Sequence, residues 1–370
     1  MTNEILLKVI LMVSFTFILS ALIMPFMINL ANQIGAVDIP RNRHIHKKVM
    51  PKLGGLGIFI VFLIGYMIFG KSSDKMNAIL IGSFIIILTG IIDDIKELRP
   101  RHKFLGQTLA ASIIVFYGQI LLSEVSAFGI YLDFGILAYP ITLLFILGCI
   151  NCINLIDGLD GLMGGISSIY FLTIGIIATI QGNFGLEFVL TFIMLGSTLG
   201  FLVHNFNPAK IFAGDTGSMF EGFIIAVIAL LGFKNVMMSS LIIPLLILAI
   251  PILDTLFAIV RRTLKGESIS KADKFHIHHQ FLNRNFSQRA TVLIIYVIDL
   301  LFAAASIVYV LKDQVLGYIL YGILLVIIIV FVAKTNVVFD HEQIQMNLKD
   351  KLKIFKNKQD KNKKTKNKRK

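Results

Sequence analysis

F-I-I-I-L-T-G-I-I-D-D-I-K-E-L-R-P-R-H-K, residues Phe84 to Lys103, decides the fold of this chain. Its first nine residues suit hydrocarbon, while the next eleven carry the carboxylates Asp93 and Asp94 and four Lys or Arg side chains. Such an abrupt boundary marks a helix leaving a bilayer, because charge is costly inside and basic residues gather just outside.

The pattern recurs along all 370 residues, of which 56% are hydrophobic and 15% charged, with a mean hydropathy of +0.81. That balance excludes an ordinary soluble domain. Apolar runs long enough to approach a bilayer's ~30 Å core fall at 5–32, 53–70, 76–92, 104–122, 135–155, 162–181, 187–204, 217–232, 239–260, 291–311 and 316–333. The expected fold is an all-α polytopic integral membrane protein with about eleven transmembrane helices.

Basic residues orient it. With the N-terminus outside, the inner loops hold seventeen Lys and Arg: Arg41, Arg43, Lys47, Lys48, Lys52, Lys96, Arg99, Arg101, Lys103, Lys210, Arg261, Arg262, Lys265, Lys271, Lys274, Arg284 and Arg289. The outer segments hold five, Lys8, Lys71, Lys75, Lys234 and Lys312. This asymmetry predicts an outside N-terminus, a cytosolic C-terminus and charged loops on the cytosolic face. The first run is too long for a cleaved signal peptide and reads as a retained helix. Cys149 and Cys152 form a C-x-x-C, but two thiols do not complete a zinc site, so they read as small helix-packing residues.

Residues 1–335 read as one helical bundle, with catalytic loops at 33–52, 93–103, 155–161, 205–217 and 261–290. The remainder, 336–370, reads as a basic, disordered cytosolic tail. It either attracts anionic lipid or serves as a solubilising extension that reinforces topology.

Asp93 and Asp94 repel each other unless a cation lies beside them, and Mg²⁺ uses one or two carboxylates together with phosphate oxygens; a solvated helix end is the plainer reading. In N-L-I-D-G-L-D-G, Asn154 to Gly161, the residues Asn154, Asp157 and Asp160 share one face if the helix continues through the glycines. In F-N-P-A-K-I-F-A-G-D-T-G-S, residues 206–218, glycines surround Asp215 at a helix entry. There free N–H groups would receive an anion, Asp215 would complete a metal site and Lys210 adds charge; a simple helix cap is the alternative. His276, His278 and His279 of H-I-H-H, near Arg262, suit hydrogen bonding to a diphosphate better than a zinc site, since the spacing is not that of zinc proteases. His46 and Lys48, in the first inner loop, either help hold an anionic substrate or serve topology alone.

Taken in order, Pro51-Lys-Leu-Gly-Gly55, Asp93-Asp94, Asn154 to Gly161, Pro208 to Ser218, Pro251-Ile-Leu-Asp254, Arg261-Arg262 and His276-Ile-His-His279 resemble the polyprenyl-phosphate N-acetylhexosamine-1-phosphate transferases, of glycosyltransferase family 4 type. H-I-H-H-Q-F, where the muramoyl-pentapeptide branch typically carries H-H-H-F-E, makes the chain look more like the branch that uses UDP-N-acetylglucosamine. The resemblance implies a multi-pass enzyme of the bacterial cytoplasmic membrane. Undecaprenyl phosphate would attack the β-phosphorus of a UDP-N-acetylhexosamine and release UMP. It further implies Mg²⁺, with Mn²⁺ as a substitute, on Asp215 with Asp94 near it, and Asp93 deprotonating or orienting the lipid phosphate. Asn154, Asp157 and Asp160 would hold the nucleotide-sugar or support the metal, and Arg262 with the three histidines would contact phosphates or sugar. The expected partners are the two substrates, the bilayer and a second copy in a homodimer, with no nucleic acid. A membrane prenyltransferase accounts for the aspartate pairs but leaves G-D-T-G-S and H-I-H-H without a task. A transporter would place its ionisable groups nearer the midplane.

Overall fold

The computed structural model describes residues 3–40, 48–127, 130–232, 242–264, 266, 276–311 and 314–334. The chain is a bundle of α1 (Asn3–Ile34), α2 (Gly54–Phe69), α3 (Asp74–Ile95), α4 (Pro100–Ser112), α5 (Ala138–Ile156), α6 (Leu162–Gln181), α7 (Leu186–Asn205), α8 (Gly214–Gly232), α9 (Ile242–Ile247), α10 (Ala249–Leu264), α11 (Ile277–Asn283), α12 (Gln288–Val310) and α13 (Gln314–Ala333). Two small antiparallel pairs complete it, β1 (Val37–Asp38) with β2 (Met50–Pro51), and β3 (Glu124–Ala127) with β4 (Ile130–Asp133). His46 and the tail from 336 lie outside the described residues.

Among the described residues eight helices are long and apolar enough to cross a membrane, which makes the protein an all-α polytopic membrane protein. The other three apolar runs take different forms. The second is only 16 residues of helix. The fourth passes from α4 into a π-helical turn at Ile113–Tyr117. The ninth is divided into α9 and α10, with Pro244 and Pro251 in the divided stretch, where each ring removes a backbone donor.

α8 is the axis of the bundle. It packs against α2, α3, α5 and α7, and within it only Asp215 and Gly232 are not buried. Small residues permit this close packing. A Cβ on Gly55 would strike the backbone of Gly217, and one on Gly90 the backbone of Thr216. α2 and α3 are thereby held against the first turn of α8, the backbone-to-backbone approach that small residues allow between membrane helices. The long α1 docks on α7 in the same way, with Gly196 and Gly200 facing Thr16, Phe17 and Ser20 and the Ser20 hydroxyl donating to the Ser197 carbonyl at 2.7 Å.

Candidate active site

The site forms where several helix ends are buried together. A helix leaves its first N–H groups without partners inside it, and each end here finds an acceptor on a segment far away in sequence. For α2, Gly54 N–H donates to the Phe212 carbonyl at 3.0 Å and Gly55 N–H to Ala213 at 2.9 Å, while Phe212 N–H donates back to Pro51 at 2.8 Å. The Pro51 to Gly55 motif is thus clasped to the segment leading into α8. For α8, the acceptor is Asp94.

Asp94 is 3% exposed. Its Oδ1 accepts from the Asp215 amide at 2.9 Å, and its Oδ2 from the Thr216 amide and hydroxyl at 3.0 and 2.6 Å. Lys52 stands 3.8 Å from Oδ1. Gly214, at φ +71°, has no room for a Cβ between Lys52 and Asp94, so this left-handed entry to α8 requires glycine. The expected anion site at these N–H groups is therefore filled by the protein's own carboxylate, because a buried helix end needs a permanent acceptor.

With α8 fixed, the Asp215 side chain faces its neighbours. Its Oδ1 accepts from Lys103 Nζ and from Asn154 Nδ2, the latter at 2.5 Å, and Asn154 also donates to Ser218 Oγ at 2.7 Å. Lys103 reaches Asp93 Oδ2 at 3.2 Å as well, and Asp93 lies within hydrogen-bonding reach of Asp215. Asp93 Oδ1 accepts from Leu98 N–H at 2.7 Å, which folds the 96–99 turn back under the carboxylate. Burial alone would pull Lys103 down, but the charges and hydrogen bonds of Asp215 and Asp93 outweigh it and raise its pKa. The lysine stays charged between the two carboxylates.

The expectation that the α5 helix carries all three polar residues of Asn154 to Gly161 is corrected. The helix stops at Ile156, Asp157 turns out of it at ψ +55°, and Gly161 is left-handed at φ +81°. Only Asn154 remains helical, because the glycines favour a turn over continued helix. The two aspartates consequently do different things. Asp160 Oδ2 accepts from Asn207 Nδ2 at 2.9 Å and Ala209 N–H at 3.1 Å, binding the α5–α6 turn to the α7–α8 segment. Asp157 is half-buried, and burial together with the charges of Asp215, Asp94 and Asp160 pushes it up to about 7.

On the other side of that turn lie the histidines. Asp254 of α10 is buried; its Oδ2 pairs with His276 Nδ1 at 2.9 Å and its Oδ1 accepts from Ile277 N–H at 2.8 Å. The His276 and His278 rings are parallel within 2°, with centroids 5.7 Å apart, and His279 lies 4.3 Å from His278. A Cβ on Gly158 would meet His278 Nε2 at 2.7 Å, so the histidine helix rests directly on the Asp157–Gly161 turn. Burial and the neighbouring His279, opposed by Asp254, bring His278 down to about 3, so it is neutral. Arg262 is buried on α10 beyond Asp254.

Asp93, Asp94, Asn154, Asp157, Asp160, Asp215 and the three histidines therefore meet at one end of the bundle. Lys48 and Lys210 are exposed. Sequence reasoning passed over Lys52, Lys103 and Asp254 as site residues. For Lys103 a signal existed, since Pro100 opens a helix and sends the chain back toward Asp93; for Asp254 only the P-I-L-D string pointed to it.

Among the described residues no three acidic, His or Cys side chains converge on one point to enclose a metal. The adjoining carboxylates of Asp93 and Asp215, with Asp157 feeling the Asp215 charge, nonetheless form a hard-oxygen donor set. It fits an Mg²⁺ that draws its remaining ligands from phosphate and water.

Residues 76–233 match the model of glycosyl transferase family 4. The chain is 42% identical to the probable undecaprenyl-phosphate N-acetylglucosaminyl 1-phosphate transferase of Bacillus subtilis over 316 residues, 83% of this chain and 86% of the relative. It is 33% identical to the decaprenyl-phosphate N-acetylglucosaminephosphotransferase of Mycobacterium tuberculosis, covering 76% and 78%. It is 26% identical to the undecaprenyl-phosphate alpha-N-acetylglucosaminyl 1-phosphate transferase of Escherichia coli, covering 79% and 81%.

Proposed function

The chain belongs to glycosyl transferase family 4, and on that premise we propose that it transfers N-acetylglucosamine 1-phosphate from UDP-N-acetylglucosamine to undecaprenyl phosphate. The products are undecaprenyl-diphospho-N-acetylglucosamine and UMP, and the step opens the membrane stage of a surface glycopolymer. The observation that carries this reading is the convergence on Asp215 of Asp94 behind its amide, Lys103 and Asn154 on its carboxylate, and Asp93 beside it.

A phosphate oxygen of the lipid attacks the β-phosphorus, the bond to the bridging oxygen breaks, and UMP leaves. Such a transfer asks the protein for positioning and charge compensation more than for covalent chemistry. Asp94 keeps the first turn of α8 rigid. Asn154 fixes the orientation of Asp215, and Lys103 offers a cation to the phosphoryl group in flight. Asp93, held by Leu98 N–H and Lys103, takes or orients the proton of the lipid phosphate. Asp157, with His276, His278, His279 and Arg262, contacts the diphosphate or sugar, while Asp160 braces the turn that bears Asp157. Mg²⁺, or Mn²⁺ in its stead, would be held by Asp215 with Asp93 and Asp157 adjoining it, Asp94 being committed to the α8 amides, and would supply neutralising charge at the diphosphate.

The reading includes eleven passes, an outside N-terminus and a site on the cytosolic face, supported by seventeen inner against five outer basic residues. UMP release by the purified protein tests the reaction. We expect release that requires undecaprenyl phosphate, a divalent cation and UDP-N-acetylglucosamine, and that disappears in Asp215→Asn. Release only with UDP-N-acetylmuramoyl-pentapeptide would overturn the donor assignment.

A further inference from the structure

Asp254 stands outside the aspartate cluster, yet its carboxylate is fully engaged with the histidine segment. It lies on a buried stripe of α10 that continues through Ala258 and Arg261. Its two oxygens take two successive groups, the ring of His276 and the amide of Ile277. A carboxylate accepts and does not donate, so the His276 nitrogen that faces it, Nδ1, must carry hydrogen. Nε2, across the ring, is then the nitrogen left for substrate. A carboxylate behind an imidazole fixes its tautomer and its orientation and supports positive charge on the ring when the other nitrogen meets an anion.

The remaining geometry separates His276 from its neighbours. His278 is stacked parallel to it and closed against Gly158, and among the described residues no carboxylate hydrogen-bonds to it. Asp254 grips the first imidazole, and its hydrogen bond from the Ile277 amide locks the backbone on which that imidazole is carried.

We propose that Asp254 is a positioning residue for the transfer reaction, holding His276 with its Nδ1–H on the carboxylate and supporting a second proton on the ring when substrate binds, so that Nε2–H donates to the diphosphate of the nucleotide-sugar. This inference rests on the function proposed above and assigns the three histidines unequal tasks. His276 is the charge-supported donor; His278 is the neutral spacer that seats the segment on the Asp157–Gly161 turn.

The wild-type protein offers the direct test, independent of turnover. With ¹⁵N-histidine labelling, one of the eight histidines, assigned by its loss in His276→Gln, should show the Nδ1–H pattern. An unprotonated Nδ1 on that residue, the neutral Nε2–H form, overturns the proposal, whatever the enzyme's donor proves to be. Asp254→Asn gives the kinetic test, since it keeps an oxygen for Ile277 but turns an amide N–H toward His276 Nδ1, which must then accept and so leaves the ring without its supported positive charge. We expect kcat with UDP-N-acetylglucosamine to fall roughly 10–100-fold, as for other residues that orient an imidazole from behind, with KM for undecaprenyl phosphate within twofold. In a His276→Ala background the same change should cost no further activity. Additive losses, or an Asp254→Asn enzyme within threefold of wild type, would contradict the assignment.

Discussion

Asp94→Asn separates the two tasks that acidic residues perform at this site. Asp94 accepts three hydrogen bonds from the first turn of α8, at 2.9, 3.0 and 2.6 Å. An asparagine turned to serve Thr216 with its oxygen points its NH₂ at the Asp215 amide, leaving one buried N–H unsatisfied at a cost of about 1–3 kcal/mol. The two surviving bonds lose their charged acceptor and with it roughly 1 kcal/mol each. The sum, about 3–5 kcal/mol, is a large fraction of a typical domain's stability. In detergent at a fixed heating rate, Asp94→Asn should therefore lower Tm by an amount on the order of 5 °C or more and abolish UMP release. Asp215→Asn should abolish release with a smaller fall in Tm, because the asparagine oxygen still accepts from Asn154 and Lys103 keeps Asp93 as its partner. If Asp94→Asn unfolds within a degree of wild type, Asp94 does not hold α8 and the account of the helix junction is wrong.

Other outcomes follow from the same contacts. Lys103→Met removes the cation shared by Asp93 and Asp215 and should reduce kcat by roughly 10²–10³-fold, read by UMP release at saturating substrates; a loss below fivefold would remove Lys103 from the reaction. Gly55→Ala drives a methyl group into the backbone of Gly217 and should destabilise the protein by about 1–3 kcal/mol, seen as a lower Tm that undecaprenyl phosphate only partly restores. Asp157 is pushed up to about 7 by burial and by the charges of Asp215, Asp94 and Asp160. A cation favours its ionised form, so Mn²⁺ affinity measured by paramagnetic resonance should rise between pH 6 and 8 with proton release. Asp157→Asn should flatten that rise, and an unchanged slope would exclude Asp157 as the titrating group.

The apolar runs made the bundle legible in the sequence, since membrane helices must be long, apolar and bounded by charge. The motifs were legible as chemistry because carboxylates at the ends of apolar runs have few structural reasons to be there. What the sequence did not reveal is which acidic residue faces which partner. Asp94 and Asp93 are adjacent, yet one caps α8 and the other meets Lys103, a division set by packing between α3, α4 and α8. The spacing of Asn154, Asp157 and Asp160 suggested a single helical face, but Gly158 and Gly161 turn the chain and send Asp160 to Asn207. Asp254 pairs with a histidine 22 positions later, and no local pattern encodes that contact. The run at 239–260 read as one span because its total hydrophobicity is high, while its prolines divide it.

The central claim is that this end of the bundle moves a phospho-sugar, and the fate of the donor's β-phosphorus tests it most directly. The purified protein would be given UDP-N-acetylglucosamine carrying ³²P at the β-phosphate and ¹⁴C in the sugar, with undecaprenyl phosphate and Mg²⁺. The account predicts both labels in the lipid fraction in equal molar amount, with UMP in the aqueous phase. Sugar label in the lipid with ³²P left behind in UDP would contradict it.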